Sequence, residues 1–302
     1  MEKERKLLII DSNSLIHRAY HALPPLTTKK GELTNAVYGF LLVFLKALKE
    51  FQPDFIAACF DVAVPTFRHK KFKEYKAKRP PAPEELYQQI PKLKEVLDAF
   101  NVPIFEKEGF EADDIIGTIS RLAPRKQVMP RIETVILSGD LDTLQLVDKN
   151  TKVYTFKKGL KETIIYDEKA VKERYGFSPS QIVDFKALKG DPSDNIPGVS
   201  GIGEKTAINL IKLFGSLENL YQEIKEETKK VKELKPAIKD KLVQYKDQAF
   251  FSRMLSEIRK DAPLDFNFEK CQWGGYNKEK LIQIFKNLEF YSLISRLPEL
   301  KK

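Results

Sequence analysis

Cysteine is almost missing from this chain: Cys59 and Cys271 are the whole supply in 302 residues. They lie far apart, one inside an apolar run, so they give neither a disulfide framework nor a metal-binding spacing. A reducing cytosol is the expected setting. Histidine is equally scarce, and His17, His21 and His69 show no ligand spacing. Long apolar runs are absent too. The charged start Met1-Glu2-Lys3-Glu4-Arg5-Lys6 leads into a run that Asp11 interrupts. That run is too short for a secretion signal, and no segment is long enough to cross a bilayer. The single tryptophan, Trp273, reads as a packing residue, and no repeat or long low-complexity tract is present.

Charge is what the chain has in quantity. Charged residues make up 31% and apolar ones 42%, which describes a soluble globular protein able to bury one large core or two modest ones. The formal net charge is +9, a balance that suits a polyanionic partner, although charge alone is weak evidence.

The acids are not scattered. Asp11 ends the apolar run 7–10, Asp61 ends 55–60, and Asp140 and Asp142 close the run beginning at Thr134. Glu111, Asp113 and Asp114 open an apolar-periodic helix, and Asp191 and Asp194 flank Pro192-Ser193 in a Gly-rich turn. Any one of these acids alone reads as an ordinary strand-to-loop aspartate, or at a helix start as a response to the helix dipole. The set does not. Short β-rich runs ending in acids suggest parallel strands whose carboxyl ends border one crevice. Like charges gathered there need cations, and oxygen-only ligation favours Mg²⁺, with Mn²⁺ as a substitute, over zinc. Some acids would bind directly and others through ordered water.

The spacing predicts strands at 7–10, 55–60, 102–105 and 134–137, with a pair at 152–156 and 163–166, and helices at 35–51, 84–100 and 112–122. The expected fold is α/β: a central, mostly parallel sheet flanked by helices. After about Asp167 short helices take over. Ser178-Pro179 reads as an N-cap and first helical residue, with helices at 204–214, 217–225, 236–246 and 278–288 and a charged loop or frayed end at 226–235. The expected division is an acid-bearing α/β part at 1–176, with a basic stretch near 67–90, and a helical part at 177–302, with a Gly-rich segment near 190–214.

Two further motifs point to nucleic acid. Gly198-Val199-Ser200-Gly201-Ile202-Gly203-Glu204-Lys205-Thr206-Ala207 matches a helix–hairpin–helix pattern. Gly198, Gly201 and Gly203 permit a tight hairpin, and amides at a helix start beside Lys205 and Thr206 suit a phosphate. It also reads as a plain Gly-rich connection, but it lacks nucleotide P-loop spacing. The stretch from Phe67 to Pro81 interleaves cations and aromatics, among them Arg68, Tyr75, Lys76 and Arg79. Such a mixture tracks phosphates and stacks unpaired bases, and equally describes a solvated basic helix. Arg18 and Tyr20 reach a phosphate and a base or pack locally.

Together these residues resemble the bacterial 5′-nuclease family, specifically the 5′→3′ exonuclease domain of DNA polymerase I, with phage 5′-nucleases and flap endonucleases as relatives. The resemblance runs through Ile9-Ile10-Asp11-Ser12-Asn13-Ser14, Arg18-Ala19-Tyr20-His21-Ala22, Phe67-Arg68, Gly109-Phe110-Glu111-Ala112-Asp113-Asp114, Ser138-Gly139-Asp140 and the segment 190–207. It covers nearly the whole chain, and 288–293 resembles the domain's closing helix.

The resemblance implies a PIN-like 5′-nuclease core at 1–176 with a basic helical arch near 67–90, a helical DNA-binding subdomain at 177–302 with a helix–hairpin–helix near 190–214, and a two-ion metal centre formed by all nine acids. It implies that the segment with Tyr75, Lys76 and Arg79 forms an arch over a 5′ single strand, and that the hairpin holds K⁺ through carbonyls. Lys76 and Arg79 are the candidates for electrostatic help at the scissile phosphate. Leu141 departs from the family, where many relatives carry a basic residue. The implied activity is Mg²⁺-dependent cleavage of DNA flaps, nicks and 5′ ends in primer removal and repair. It would take place in a bacterial cytoplasm near the nucleoid, beside a polymerase domain in cis or trans, with no membrane partner. A PIN-like ribonuclease and a non-catalytic DNA-junction-binding module are the rival readings.

Overall fold

The computed structural model describes residues 5–123 and 132–299. The charged start at 1–4 and the last residues of the expected 177–302 subdomain lie outside them. Six strands form one sheet: β1 (Arg5–Asp11), β2 (Phe55–Cys59), β3 (Ile104–Phe105), β4 (Ile132–Leu137), β5 (Thr151–Lys158) and β6 (Glu162–Tyr166). Their order is β3-β2-β1-β4-β5-β6, with every pair parallel except β5–β6. Ile9 lies opposite Ala57 on one side and Ile136 on the other. The chain runs outward from β1 through β2 to β3, then returns to β4 on the other flank. The carboxyl ends of β1 and β4 therefore meet where the winding direction reverses, the usual ligand crevice of an open α/β sheet.

Alternation along β1 sorts its side chains into two cores. Leu7 and Ile9 join one buried layer, Leu8 and Ile10 the other. The helices are α1 (Ser12–Ala22), α2 (Asn35–Phe51), α3 (Phe67–Lys71), α4 (Glu84–Tyr87), α5 (Ile90–Ala99), α6 (Ala112–Leu122), α7 (Glu168–Tyr175), α8 (Ile182–Lys189), α9 (Glu204–Phe214), α10 (Leu217–Glu226), α11 (Lys229–Lys232), α12 (Pro236–Gln244), α13 (Lys246–Ser256), α14 (Lys278–Asn287) and α15 (Tyr291–Ile294). The first layer receives α6 and much of α7 to α10, and the second receives α2, α5 and α14.

The α/β class, the parallel sheet and the helices 35–51, 112–122 and 204–214 agree with the sequence. Other bounds do not. Of 102–105 only Ile104–Phe105 pairs as a strand, because Pro103 has no N–H to give the ladder. The expected helix 84–100 breaks at Gln88-Gln89, and Pro91 opens a new helix there. Gln89 turns its side-chain oxygen to the free amide of Ala36 at 2.9 Å. The basic segment near 67–90 is helical only at α3 and α4, and 73–79 is a series of turns with Lys76 at φ +56°. Pro80, Pro81 and Pro83 prevent its continuation as a helix.

Candidate metal centre and nucleic-acid face

Each acid is placed by the element it ends or starts. Asp11 finishes β1 and caps α1, one oxygen accepting the Ser14 amide at 3.1 Å and the other the Ser138 hydroxyl at 2.5 Å. Ser14 also accepts the Gly139 amide at 2.9 Å, which ties the ends of β1 and β4 together. Asp61, beyond β2, accepts the Ala112 amide at the start of α6 at 2.7 Å. Asp140, beyond β4, accepts the Asp142 amide at 2.8 Å. A cleft of about 280 Å³ results, lined by Asp11, Asp61, Glu111, Asp113, Asp140, Asp142 and Asp194 together with His17, Arg68, Tyr75, Lys76 and Arg79.

Burial and crowding set the charges. Burial pushes the Asp11 carboxyl up to about 6, against its serine hydrogen bonds and with help from Asp140. Burial, then the charges of Asp11, Asp140 and Asp142, drives Asp113 well above the usual carboxylate range. Asp61 is also raised, chiefly by burial. Carboxylates that resist ionising side by side are a fitting donor set for a hard divalent cation, which removes the repulsion. Next to them Asp142, Asp191 and Asp194 bring one oxygen each to within 4.8 Å of one another.

Two acids of the expected set behave differently. Asp114 faces away from the cleft. It is fully buried, and its oxygens accept Arg68 at 2.7 and 2.8 Å and the amides of Glu111 and Arg259 at 3.1 and 2.8 Å. Successive helical residues point about 100° apart, so Asp113 and Asp114 cannot both enter one cleft. Asp191 does not line the cleft itself but binds Lys186 at 2.7 Å, and Lys186 also holds Asp142. Burial alone would raise Asp191, yet Lys186 and Ser193 bring it down to about 2.

The expected DNA contacts divide in the same way. Arg68 is 2% exposed and spends its remaining donors on the carbonyls of Leu255 and Glu257, so it anchors α3 rather than meeting DNA. Tyr75 is 3% exposed, its hydroxyl donating to Glu111 and Asp194 at 3.1 and 3.2 Å, which leaves no free face for a base. Gly198 is buried, because at φ +63° its Cα packs on the Gly190 backbone. Gly201, Gly203 and Lys205 are exposed and Thr206 partly so. Lys76 binds Glu111 at 2.8 Å, its amide binds the Asp194 carbonyl at 2.9 Å, and Arg79 pairs with Asp194. The basic turns thus lie across the acids. Arg18 crosses the Phe156 ring at 4.5 Å and donates to the Gly159 carbonyl, while Tyr20 packs against the second core.

The motif reading missed Lys186. Its signal was a charged residue, Lys186, set between the apolar Phe185 and Ala187 of α8 and five residues before Asp191.

A family model described as the 5′-3′ exonuclease N-terminal resolvase-like domain matches residues 6–176, and one for its C-terminal SAM fold matches 177–279. The chain belongs to the 5′-3′ exonuclease family. This exonuclease-family chain is 44% identical to DNA polymerase I of Bacillus subtilis over 99% of its length and 39% identical to thermostable DNA polymerase I of Thermus thermophilus over 97%. It spans about a third of the length of these curated relatives. Among solved structures, the bacteriophage T5 flap endonuclease, in a pseudo-enzyme–product complex with DNA and metal ions, gives a TM-score of 0.67 at 19% identity. That match covers 94% of this chain and all of the phage protein. The catalytic core of Rad2 in complex with DNA substrate gives 0.58 at 19% identity, covering 98% and 93%. These exonuclease-like neighbours share the sheet and its helical covering.

Proposed function

We propose that the chain is a Mg²⁺-dependent, structure-specific 5′-nuclease that hydrolyses DNA phosphodiesters at 5′ ends, nicks and flaps, in primer removal and repair. The observation that carries this reading is the acid-lined cleft at the sheet's reversal point, crossed by a segment bearing Lys76 and Arg79. Asp11, Asp61, Glu111, Asp113 and Asp140 would hold one part of the metal centre, and Asp142, Asp191 and Asp194 the other. Bound Mg²⁺, with Mn²⁺ as a substitute, would supply an acidified water and neutralise charge on the reacting phosphate.

The protein's own residues do the rest. Lys76 and Arg79 exchange Glu111 and Asp194 for the substrate phosphate and stabilise its developing charge. The exposed start of α9, with Gly201, Gly203, Lys205 and Thr206, grips duplex phosphate without reading bases. K⁺ at the hairpin would share the Gly198 carbonyl with Gln248, which donates to it at 2.6 Å, and would have to displace the Lys241 ammonium beside Gly201. The kinship with DNA polymerases supports a place beside a polymerase, in cis or trans, in the bacterial cytoplasm. Among the described residues no helix is long and apolar enough to cross a membrane.

The test is cleavage of a 5′-flap DNA duplex and of its RNA counterpart, with Mg²⁺ and with EDTA. Mg²⁺-dependent cutting of the DNA is expected. Preference for RNA would favour a PIN-like ribonuclease, and tight flap binding with no cutting would favour a junction-binding module.

A further inference from the structure

We propose that Lys186 is a tethered counter-ion that competes with a divalent cation for Asp142 and Asp191, and so weakens one half of the metal centre until substrate arrives. The inference rests on the metal-centre reading above and adds a residue that the motif reading did not assign.

Its first support is position. The Lys186 ammonium binds Asp142 and lies 2.7 Å from Asp191, two of the three acids whose oxygens converge within 4.8 Å. Its second support is anchorage. Val183, Phe185, Ala187 and Leu188 of α8 are buried in the helical part of the fold, and Lys186 itself is only 8% exposed. The helix cannot retreat, and only the side chain can turn away. Lys76 and Arg79 also cover acids, but they stand on turns between α3 and α4 and can leave with that segment.

An ammonium and a divalent ion cannot share the same oxygens without strong repulsion, so uptake at these acids requires Lys186 to turn aside. A substrate phosphate would offer the displaced ammonium a new partner, which couples filling of this half to DNA binding. Lys186 is therefore a positioning residue acting through the acids.

Calorimetric titration of Mn²⁺ into the DNA-free protein tests this, using wild type, Lys186→Met and Lys186→Arg. The weaker ion should bind Lys186→Met at least about tenfold more tightly, because one positive charge has left the shared oxygens. Lys186→Arg should stay near wild type. Thermal melting guards against misfolding: without Mn²⁺ the Met variant should melt lower than wild type, and with Mn²⁺ it should gain more. A folded Lys186→Met that binds Mn²⁺ no more tightly than a binding-competent wild type overturns the inference and leaves the metal reading standing. Uptake by neither protein removes both.

Discussion

The two ends of the acidic cleft use the same residue type to opposite effect. At the end formed by β1, β4 and α6, Asp11 and Asp113 face one another and Asp140 without a side-chain cation, and both are pushed upward. At the end formed by the turn after α8, Asp191 has Lys186 and falls to about 2, while burial still pushes Asp142 up to about 6 although it shares that lysine. The difference shows that acidity is distributed by what each element brings. Strand ends bring carboxylates alone, whereas a helix such as α8 can bring its own cation with them. Asp11 and Asp113 are left to an external charge, whereas Asp191 already has one built in.

The sharpest way to break this comparison is to remove one acid from each end. Asp113→Asn and Asp191→Asn should each slow flap cleavage on the order of 10³-fold, the loss of one strong electrostatic element. Their melting temperatures in EDTA should move in opposite directions, up for Asp113→Asn, which relieves repulsion, and down for Asp191→Asn, which takes from Lys186 one of its two carboxylate partners. Shifts of the same sign would end the distinction.

Arg68 and Asp114 provide the control, a pair buried in the wall behind the cleft. Arg68→Met should lower stability by about 3–5 kcal/mol in urea unfolding, the usual penalty for leaving a buried charge unpaired. A loss below 1 kcal/mol would place the pair among ordinary surface bridges.

The pH response follows from the same contrast. The folded pKa of Asp11, about 6, exceeds its ordinary 3.8. Its contribution is fully present below the unfolded value and is lost as pH rises through 6, about 3 kcal/mol in order of magnitude. Asp142, raised to about 6 as well, follows the same course, whereas Asp191 is already ionised throughout this window and contributes no change there. Because a metal ion displaces the proton, the Mg²⁺-dependent rise in melting temperature should be small at pH 5 and grow above pH 6. A gain independent of pH would contradict the assignment of Asp11.

The smallest effect lies far from both ends. Lys205→Ala should reduce the slope of log affinity against log salt by roughly one unit on duplex DNA, with little change in single-turnover cutting at saturating DNA. Equal losses on duplex and single strand would take the hairpin out of duplex binding.

Much of this was legible in the sequence because strand ends announce themselves. An apolar run stopped by Asp11, Asp61 or the Ser138-Gly139-Asp140 turn fixes both a strand and the crevice it borders. The helix at Ala112–Leu122 was equally clear from its apolar period. Direction around a helix was not. Asp113 and Asp114 are neighbours in sequence, yet one enters the cleft and the other is locked by Arg68. Lys186 escaped because its partners, Asp142 and Asp191, come from different elements, and only the fold brings them together. The arch near 67–90 is implied by the family resemblance, and its local form was not legible: Pro80, Pro81 and Pro83 break it into short helices and turns.

The pairing of β1 with β4 also sets a timetable. Leu7 can join Phe55 early in synthesis, but its other neighbour, Thr134, leaves the ribosome much later. In the interval one edge of β1, with Leu7 to Ile10 all destined for full burial, has no partner. Parallel pairings over long sequence separations form slowly and expose aggregation-prone edges. The strand that carries the first acid of the cleft is thus the one a nascent chain must shield longest. A holdase that binds short aliphatic strands would find its natural target there.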